Sequence, residues 1–256
     1  MIRRALTLTL SLTFLFCLQA SAQTVDELIK KNLDARGGVQ KVKAIKSVRI
    51  TAKVIQQGLE IPIIIQQKRP HMVRLDATFQ GKSQTMAYDG ESGWKTDPFQ
   101  GSPDPEKIAG DDLKEAVEQS DIDGSLVDYK EKGHTVELVG KEEMEGTPVY
   151  KLKLTLKNGD VRSIYLDAEN YLELKVTMKR KTPGGEIEVD QYVGNYKPVN
   201  GFLFPFSLET KVKGQTANQI TIEKIETDVA IDDSAFKMPV KPAEKPKTEE
   251  KKPPAR

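Results

Sequence analysis

SVRITAKVIQQGLEIPIIIQQKRPHMVRLDATFQGKSQTMAYDGESGW, the stretch from Ser47 to Trp94, alternates apolar and polar residues with a period of two. Strict alternation of this kind is typical of β-strands that have one apolar and one hydrated face. The pattern restarts after Gly58 and again after Pro70, which predicts that each strand folds back on the one before it. The stretch therefore predicts an antiparallel meander, and its apolar face must be covered by another part of the chain.

A second alternating region occupies the later part of the chain. Its clearest strand spans 150–156, where three leucines alternate with lysines, and Asn158–Gly159 behind it is a hairpin signal. With the further alternating segments up to Ile222, the sequence predicts about twelve strands. The expected fold is mainly β with a few helices, in which a curved antiparallel sheet forms an incomplete barrel covered by helices.

Three helices are predicted to supply that cover. Thr24 and Glu27 have the spacing of a capping box, and Gly37–Gly38 ends the first helix. A second short helix is expected over 39–45 and a third over 106–120, whereas the proline-rich segment 97–105 is expected to be a loop outside the sheet. The helices either pack on the sheet as part of the core or form a lid over a pocket, and the sequence leaves both alternatives open.

Residues 1–22 have the features of a secretory signal peptide. Two arginines precede the apolar stretch Ala5–Leu18, and Ala20–Ala22 offers small residues before a cut at Gln23. A membrane anchor is the alternative, but the apolar stretch is shorter than the ~20 residues of a membrane span. Because Cys17 is the only cysteine, no disulfide is expected in the mature chain. We therefore predict a secreted protein that lies outside the cytoplasm and whose mature chain has no transmembrane segment.

The mature chain divides into a domain over 23–239 and a tail over 240–256. The tail consists mainly of Pro, Lys and Glu, and it lacks the apolar surface that would offset the entropy of ordering. It is expected to be disordered and extended, either as a simple solvated tail or as a spacer that faces the wall or the membrane.

Composition and motifs argue against several classes of function. The chain has 39 Lys and Arg against 38 Asp and Glu, so no basic field favours nucleic acid. The two histidines, His71 and His134, stand apart from any Cys or acidic cluster, so no metal site is predicted. Without a phosphate-binding glycine loop, no cofactor is expected either.

No catalytic motif is complete. GESGW at 90–94 resembles a nucleophile elbow, but Trp94 occupies the position of the second glycine, so we interpret it as a turn. DIDG at 121–124 resembles the start of a calcium loop, but the glycine comes too early and no glutamate follows at the twelfth position. No catalytic residues are therefore assigned, and an enzyme is not expected.

The apolar face of the sheet is the remaining candidate for function. A curved sheet of about twelve strands encloses more space than side chains readily fill, and few helices are available to fill it. Either a cavity remains or the helices and the sheet pack into a dry core, and the residues alone leave both open. The ten predicted cavity-wall residues are the apolar ones that point toward this face. They are Ile50, Ile61, Ile63, Leu75, Phe79, Trp94, Leu152, Leu154, Leu174 and Phe204.

Several motifs resemble the LolA-like family of outer-membrane lipoprotein-sorting proteins, and the resemblance extends over 24–239. They are DIDGSLVDY at 121–129, GHTVELVG at 133–140, YLDAE at 165–169, YDG and GW within 88–94, GFLFP at 201–205 and DDSAF at 232–236. These motifs lie at turns and strand ends, so they identify a fold more than a chemistry. The central insertion and the C-terminal tail depart from the family pattern.

The resemblance implies a periplasmic carrier without catalytic activity. Its cavity would hold a lipid or the acyl chains of lipoproteins, and the carrier would act as a transport chaperone that transiently contacts inner- or outer-membrane proteins. In the family an arginine inside the cavity ties the lid shut, but Arg49, Arg69 and Arg74 have no neighbours in sequence that identify its counterpart. The alternative is an envelope sensor or assembly protein of the same fold that binds another protein.

Overall fold

The computed structural model describes residues 23–182 and 185–239. The predicted signal peptide over 1–22 and the predicted tail over 240–256 lie outside the described residues. The helices are α1 (Val25–Ala35), α2 (Val39–Ala44), α3 (Gly110–Gln119) and a 3₁₀ turn over Asp233–Ala235. The strands are β1 (Ser47–Gln56), β2 (Leu59–Lys68), β3 (Met72–Phe79), β4 (Lys82–Tyr88), β5 (Gly93–Asp97), β6 (Ser102–Lys107), β7 (Thr135–Met144), β8 (Thr147–Thr155), β9 (Val161–Asp167), β10 (Glu173–Thr182), β11 (Gly185–Gly194), β12 (Lys197–Val199), β13 (Phe202–Phe204), β14 (Ser207–Val212) and β15 (Gln215–Thr227).

Thirteen of these strands form one antiparallel sheet. Their order is β6-β5-β4-β3-β2-β1-β15-β14-β11-β10-β9-β8-β7, and β12 pairs separately with β13. The predicted meander from Ser47 to Trp94 is confirmed, since β1 to β5 pair consecutively. The fold class is confirmed as well: the chain is mainly β, and its large antiparallel sheet does not close into a barrel.

Two expectations about individual elements were wrong. The segment 97–105 was expected to stay outside the sheet, yet Ser102–Lys107 forms β6. Pro103 and Pro105 are tolerated there because β6 is an edge strand that pairs only with β5, in an irregular register. For the same reason the third helix begins at Gly110 and not at Glu106.

The N-terminal helix forms as its sequence predicts. The Thr24 Oγ1 accepts the Glu27 backbone N–H at 3.3 Å, and the Glu27 carboxylate accepts the Thr24 N–H at 2.9 Å. This reciprocal capping box satisfies two backbone donors at the start of α1. Gly37 and Gly38 follow the helix with φ of 115° and 95°, a region that favours glycine, and α2 begins directly after them.

The sheet curls around α3. Lys95 of β5 pairs with Asp112 of α3 at 2.6 Å, and Arg162 of β9 pairs with Glu118 of the same helix. These two strands are nine intervals apart in the sheet order, which corresponds to about 43 Å in a flat sheet. Because α3 has 10 residues and is only about 15 Å long, both ends of the sheet must bend toward it. The face that bends toward α3 is called the inner face below.

The inner face carries two apolar clusters. The first, on β1, β2 and β15, includes Val48, Ala52 and Ile63 and is covered by Val42 of α2 and Phe202 of β13. The second lies on β8 to β10 under α1. Its buried members are Leu28, Ile29, Leu126, Leu152, Leu154, Leu156, Ile164, Leu166 and Val176.

The outer face is covered differently at its two ends. Over β2 to β5 lies the segment 231–236, held by hydrogen bonds from Trp94 to the Phe236 carbonyl at 2.8 Å and from Arg74 to the Ala235 carbonyl at 2.7 Å. Phe236, the last residue of this segment, is fully buried. Over β8 to β14 a row of alternating lysines and tyrosines crosses five strands instead. Its members are Lys151, Tyr165, Lys175, Tyr192 and Lys211.

Candidate ligand-binding cavity

A cavity of about 900 Å³ lies between α3, the loop that follows α3, and the inner face of β8 to β11. This volume falls within the range of about 300–1,000 Å³ that is typical of small-molecule sites. The apolar part of its wall comes from α1, α3, the loop and the sheet. These residues are Leu33, Val117, Leu126, Val127, Leu156, Ile164, Val176 and Met178.

The register of the sheet brings the apolar wall together. Ile164 of β9 pairs directly with Val176 of β10, and Arg162 pairs with Met178. Residues that pair directly across antiparallel strands point to the same face. Ile164, Val176 and Met178 therefore form a continuous patch on the inner face, and Arg162 marks its edge.

A β-bulge turns Glu173 into the cavity. The pairing of β10 with β9 shifts between Glu173, which faces Leu166, and Lys175, which faces Tyr165. A bulge inserts one extra residue and re-aims the side chains on one side of it. Glu173 thus reaches the same face as Val176 and lines the cavity, whereas Leu174 at the bulge does not.

The protein around Glu173 raises the pKa of its carboxyl, because burial disfavours the ionised form. Arg36 and Arg162, which also line the cavity, oppose this increase through their positive charge. Tyr196 donates its O–H to the backbone carbonyl of Glu173 at 2.9 Å and holds the bulged backbone in place. Burial, and then the charge of Glu173, raises the pKa of Tyr196, so the phenol stays protonated and remains a donor.

The cover of the cavity consists of α3 and the loop over 120–134. Charged pairs hold this cover at the rim of the cavity. Glu118 of α3 pairs with Arg162, and Asp121 pairs with Lys132 at 2.5 Å. The only fully buried apolar side chain of α3 within the helix is that of Ala116, so packing contributes little to holding this helix. Helix α3 is therefore held mainly by polar contacts, whereas the loop that follows it is also anchored by the buried side chains of Leu126 and Val127.

Arg69 attaches the loop of the cover to α2. Its Nη1 donates to the Asp123 carboxylate at 2.9 Å, and its Nε and Nη2 donate to the carbonyls of Ile45 and Val42 at 2.6 and 3.0 Å. The Arg69 guanidinium lowers the pKa of Asp123, and the Asp123 hydrogen bonds raise the pKa of Arg69. The sequence showed no neighbours that single out Arg69, because Asp123 lies 54 positions away.

His134 is a structural residue at the cavity wall. Its Nδ1 accepts the backbone N–H of Lys157 at 3.1 Å, and burial, together with the nearby charge of Lys132, lowers its pKa. The neutral ring is therefore the form that makes this hydrogen bond. Within 23–182 and 185–239, no group of three or more His, Cys, Asp or Glu side chains is placed to hold a metal ion.

The ten predicted wall residues lie in other parts of the inner core or at its margins. Ile63 is buried in the first cluster, with Ile50, Ile61 and Phe204 packed against it, and Leu152 and Leu154 are buried in the second cluster. Leu75, Phe79 and Leu174 are partly buried, and Trp94 points to the outer face, where it binds Phe236. None of the ten belongs to the wall of the 900 Å³ cavity, as far as the described residues define it. That they contact a ligand stays a prediction.

Comparison with known proteins identifies the fold. No protein-family model matches the sequence. No curated protein matches it either. Several solved structures are similar to this chain over most of their own length. A DUF1329 family protein from Desulfovibrio piger ATCC 29098 is 14% identical over 82% of this chain and 97% of that chain, with a TM-score of 0.56. A LolA superfamily protein from Nitrosomonas europaea is 12% identical over 84% and 98%, with a TM-score of 0.56.

The chain has a LolA-like fold. A domain from Vibrio parahaemolyticus, described as an outer membrane lipoprotein-sorting protein, is also similar, with 14% identity over 81% of this chain, 97% of that chain and a TM-score of 0.52. The resemblance predicted from the turn motifs is thus confirmed at the level of the fold. Among residues 23–182 and 185–239, no helix of the LolA-like fold combines the length and the apolar character needed to cross a membrane.

Proposed function

We propose that this protein is a periplasmic carrier that binds acyl chains, from lipoproteins or from another apolar lipid, in the 900 Å³ cavity. The observation that carries the proposal is the cavity itself, which has a largely aliphatic floor formed by Leu156, Ile164, Val176 and Met178. The LolA-like fold and the predicted signal peptide support a function in the envelope.

Burial of hydrocarbon would supply the binding free energy. Each methylene group removed from water contributes about 0.8 kcal/mol, so ten methylenes would contribute about 8 kcal/mol before the cost of ordering the ligand. Such binding needs few polar contacts, as expected of a site that binds acyl chains and does not catalyse a reaction.

The polar attachment of the cover supports entry and exit of a ligand. Ion pairs with a partly exposed side chain contribute little to stability, and they can break and re-form without loss of a packed core. Release would require a membrane or a partner that offers the chain an equally apolar environment.

A cavity-filling variant tests the proposal. Met178→Trp places a larger side chain in the cavity, and Lys179→Trp places the same side chain on the neighbouring position, which is exposed. We expect purified wild-type protein to retain lipid in native mass spectrometry and to bind diphenylhexatriene, a hydrocarbon dye. Met178→Trp should lower both, and Lys179→Trp should leave both unchanged.

Two results would overturn the proposal. The first is wild-type protein that carries no lipid and binds neither the dye nor a fatty acid. The second is recovery from envelope extract of one stoichiometric protein partner without lipid, which would favour a sensor or assembly protein of the same fold.

A further inference from the structure

Glu173 is the one acidic side chain that the β10 bulge places among the aliphatic residues of the cavity wall. Within the described ranges, no hydrogen bond or ion pair within 4.0 Å reaches its carboxyl group. Burying such a group without a partner costs free energy. The carboxyl oxygens are not among the fully enclosed polar atoms, so they open onto the cavity. A ligand in the cavity can therefore supply the missing partner.

We infer that Glu173 is the polar recognition group of this cavity, and that its carboxyl group, which has no partner in the protein, hydrogen-bonds a carbonyl oxygen of a single-chain acyl ligand, either a fatty acid or an acyl ester. The inference rests on the proposed function, since it assumes that the cavity holds a hydrocarbon chain. It adds to that function the polar group of the ligand that the cavity binds preferentially, a carbonyl group.

The charge of the site selects a carbonyl over an amine. Arg36 and Arg162 both line the cavity, and a guanidinium carries its positive charge at any physiological pH. Arg162 is already paired with Glu118, but Arg36 has no ion-pair partner among the described residues and therefore repels an ammonium group near Glu173. Arg36 is oriented by its Nε–H bond to the Leu203 carbonyl at 3.4 Å and by the ring of Phe202 at 4.6 Å. Its terminal nitrogens donate no hydrogen bond to the described residues, so they can serve as a second donor to the ligand.

Burial favours the neutral form of Glu173, which is the form that can donate. Three of the other acidic groups around the cavity are paired, Glu118 with Arg162, Asp121 with Lys132 and Asp123 with Arg69. Lys157, His71 and His134 complete the charged and titratable groups of its wall. His134 is held neutral by its lowered pKa. Ionisation of Glu173 at higher pH removes the donor, so affinity for carbonyl ligands falls as pH rises through its folded pKa.

The test compares three ligands that have the same chain. Dodecanoic acid, methyl dodecanoate and dodecylamine are titrated against protein loaded with diphenylhexatriene, for the wild type, Glu173→Gln and Glu173→Leu. Glu188→Leu on the exposed face of β11 is the matched control. We expect Glu173→Leu to weaken the acid and the ester about tenfold while dye binding is kept. Glu173→Gln, whose amide still donates, should stay within about threefold of the wild type and lose the pH dependence of ester binding.

The outcomes separate the two proposals. If the wild type binds no dye and no chain, the proposed function fails. If the wild type binds the dye and the acid but Glu173→Leu binds the acid and the ester as tightly, the cavity is a carrier site and Glu173 does not recognise the ligand. Tightest binding of dodecylamine, abolished in Glu173→Gln, would also overturn the inference, because Glu173 would then act as an anion.

Discussion

The inner face of the sheet is covered in different ways in its two halves. Over β1 and β2, the cover formed by α2 and Phe202 packs directly on Val48, Ala52 and Ile63, and these side chains are at most 4% exposed. Over β8 to β11, the cover formed by α3 and its loop is attached by charged pairs at its rim, and a cavity of about 900 Å³ remains beneath it.

The difference follows from the side chains that each cover contributes. The first half receives large apolar groups that fill the space, as in a close-packed interior. The second half receives Leu28 and Ile29 of α1, which bury one part of it, but over the rest it receives Val117, which is 43% exposed, and a loop that begins with acidic residues. A single sheet therefore combines a dry half that stabilises the fold with an open half that is available for a ligand.

Matched truncations should have the largest effect and test this comparison directly. Ile63→Ala removes a side chain from the dry half and should lower the free energy of unfolding by about 2–5 kcal/mol. Met178→Ala removes a partly buried side chain from the wall of an existing cavity, so it should cost less than half of that and should weaken ligand binding. Urea denaturation and dye displacement measure the two effects. Equal losses of stability with unchanged binding in both variants would contradict the comparison.

Removal of Arg69 should loosen the cover by a smaller amount. Arg69→Ala leaves the Asp123 carboxylate and the carbonyls at the end of α2 without their donor, at a cost of about 1.5–3 kcal/mol for hydrogen bonds to a charged group. Hydrogen exchange should become faster over 121–127. Arg49→Ala, which loses only a 3.4 Å contact to Gln66, is the control and should leave exchange there unchanged.

Acid should loosen the same cover in the wild type. Because the pKa of Asp123 is lowered from its ordinary value of 3.8, its contribution is complete above about that pH and is lost as pH falls through the folded pKa. Exchange over 121–127, corrected for the intrinsic rate, should therefore stay unchanged down to about pH 3.8 and accelerate below it, in roughly the way that Arg69→Ala causes. Acid-insensitive protection in the wild type would show that this ion pair does not hold the loop.

Glu173 gives a prediction of the opposite sign in the open half. Its folded pKa is raised above 4.5, so the native state keeps this proton when the unfolded chain has lost it. Its contribution to stability therefore falls as pH rises from about 4.5 through the folded pKa. Glu173→Gln should be more stable than the wild type at pH 8, by about 1.4 kcal/mol for each unit of the increase, and equally stable at pH 4. Thermal unfolding at both pH values measures the difference.

The sequence predicted the halves with unequal success, for a physical reason. Alternation gave the strands, turns and inner faces correctly from Ser47 to Tyr88, since a face that packs against a cover must be apolar at every second position. The same rule placed Leu174 on the inner face. The bulge beside it changed the phase and brought Glu173 inward, which no local pattern shows.

The rim of the cavity also depends on contacts that sequence does not show. Arg69 meets Asp123 across 54 positions, and Arg162 meets Glu118 across 44, and neither pair has a motif of its own. Trp94 was predicted to be one of the apolar residues of the cavity wall. In the structure it lies on the outer face, because Gly93 and Trp94 pair with Tyr88 and Ala87, and Ala87 points outward. The search for a site among inward apolar residues thus found the core but missed the polar attachment of the cover.

The smallest predicted effect concerns the outer face of the open half, where Lys175 replaces the apolar cover that Phe236 supplies in the dry half. Its ammonium lies 4.3 Å from the ring centre of Tyr165 and 5.6 Å from that of Tyr192, and its side chain is only 14% exposed. Lys175→Met keeps a long apolar side chain and removes the charge, which also lies 3.9 Å from the Asp190 carboxylate, so the loss of stability should be about 0.5–2 kcal/mol, as expected for two cation–π contacts and one weak ion pair. Lys179→Met, at an exposed position, should change stability by less than about 0.5 kcal/mol.

A double-mutant cycle of Lys175→Met with Tyr192→Leu should give a coupling of about 0.5–1 kcal/mol that persists at high salt, since a largely buried pair is poorly screened. Zero coupling would mean that the methylene groups of the lysine, and not its charge, cover the outer face of these strands.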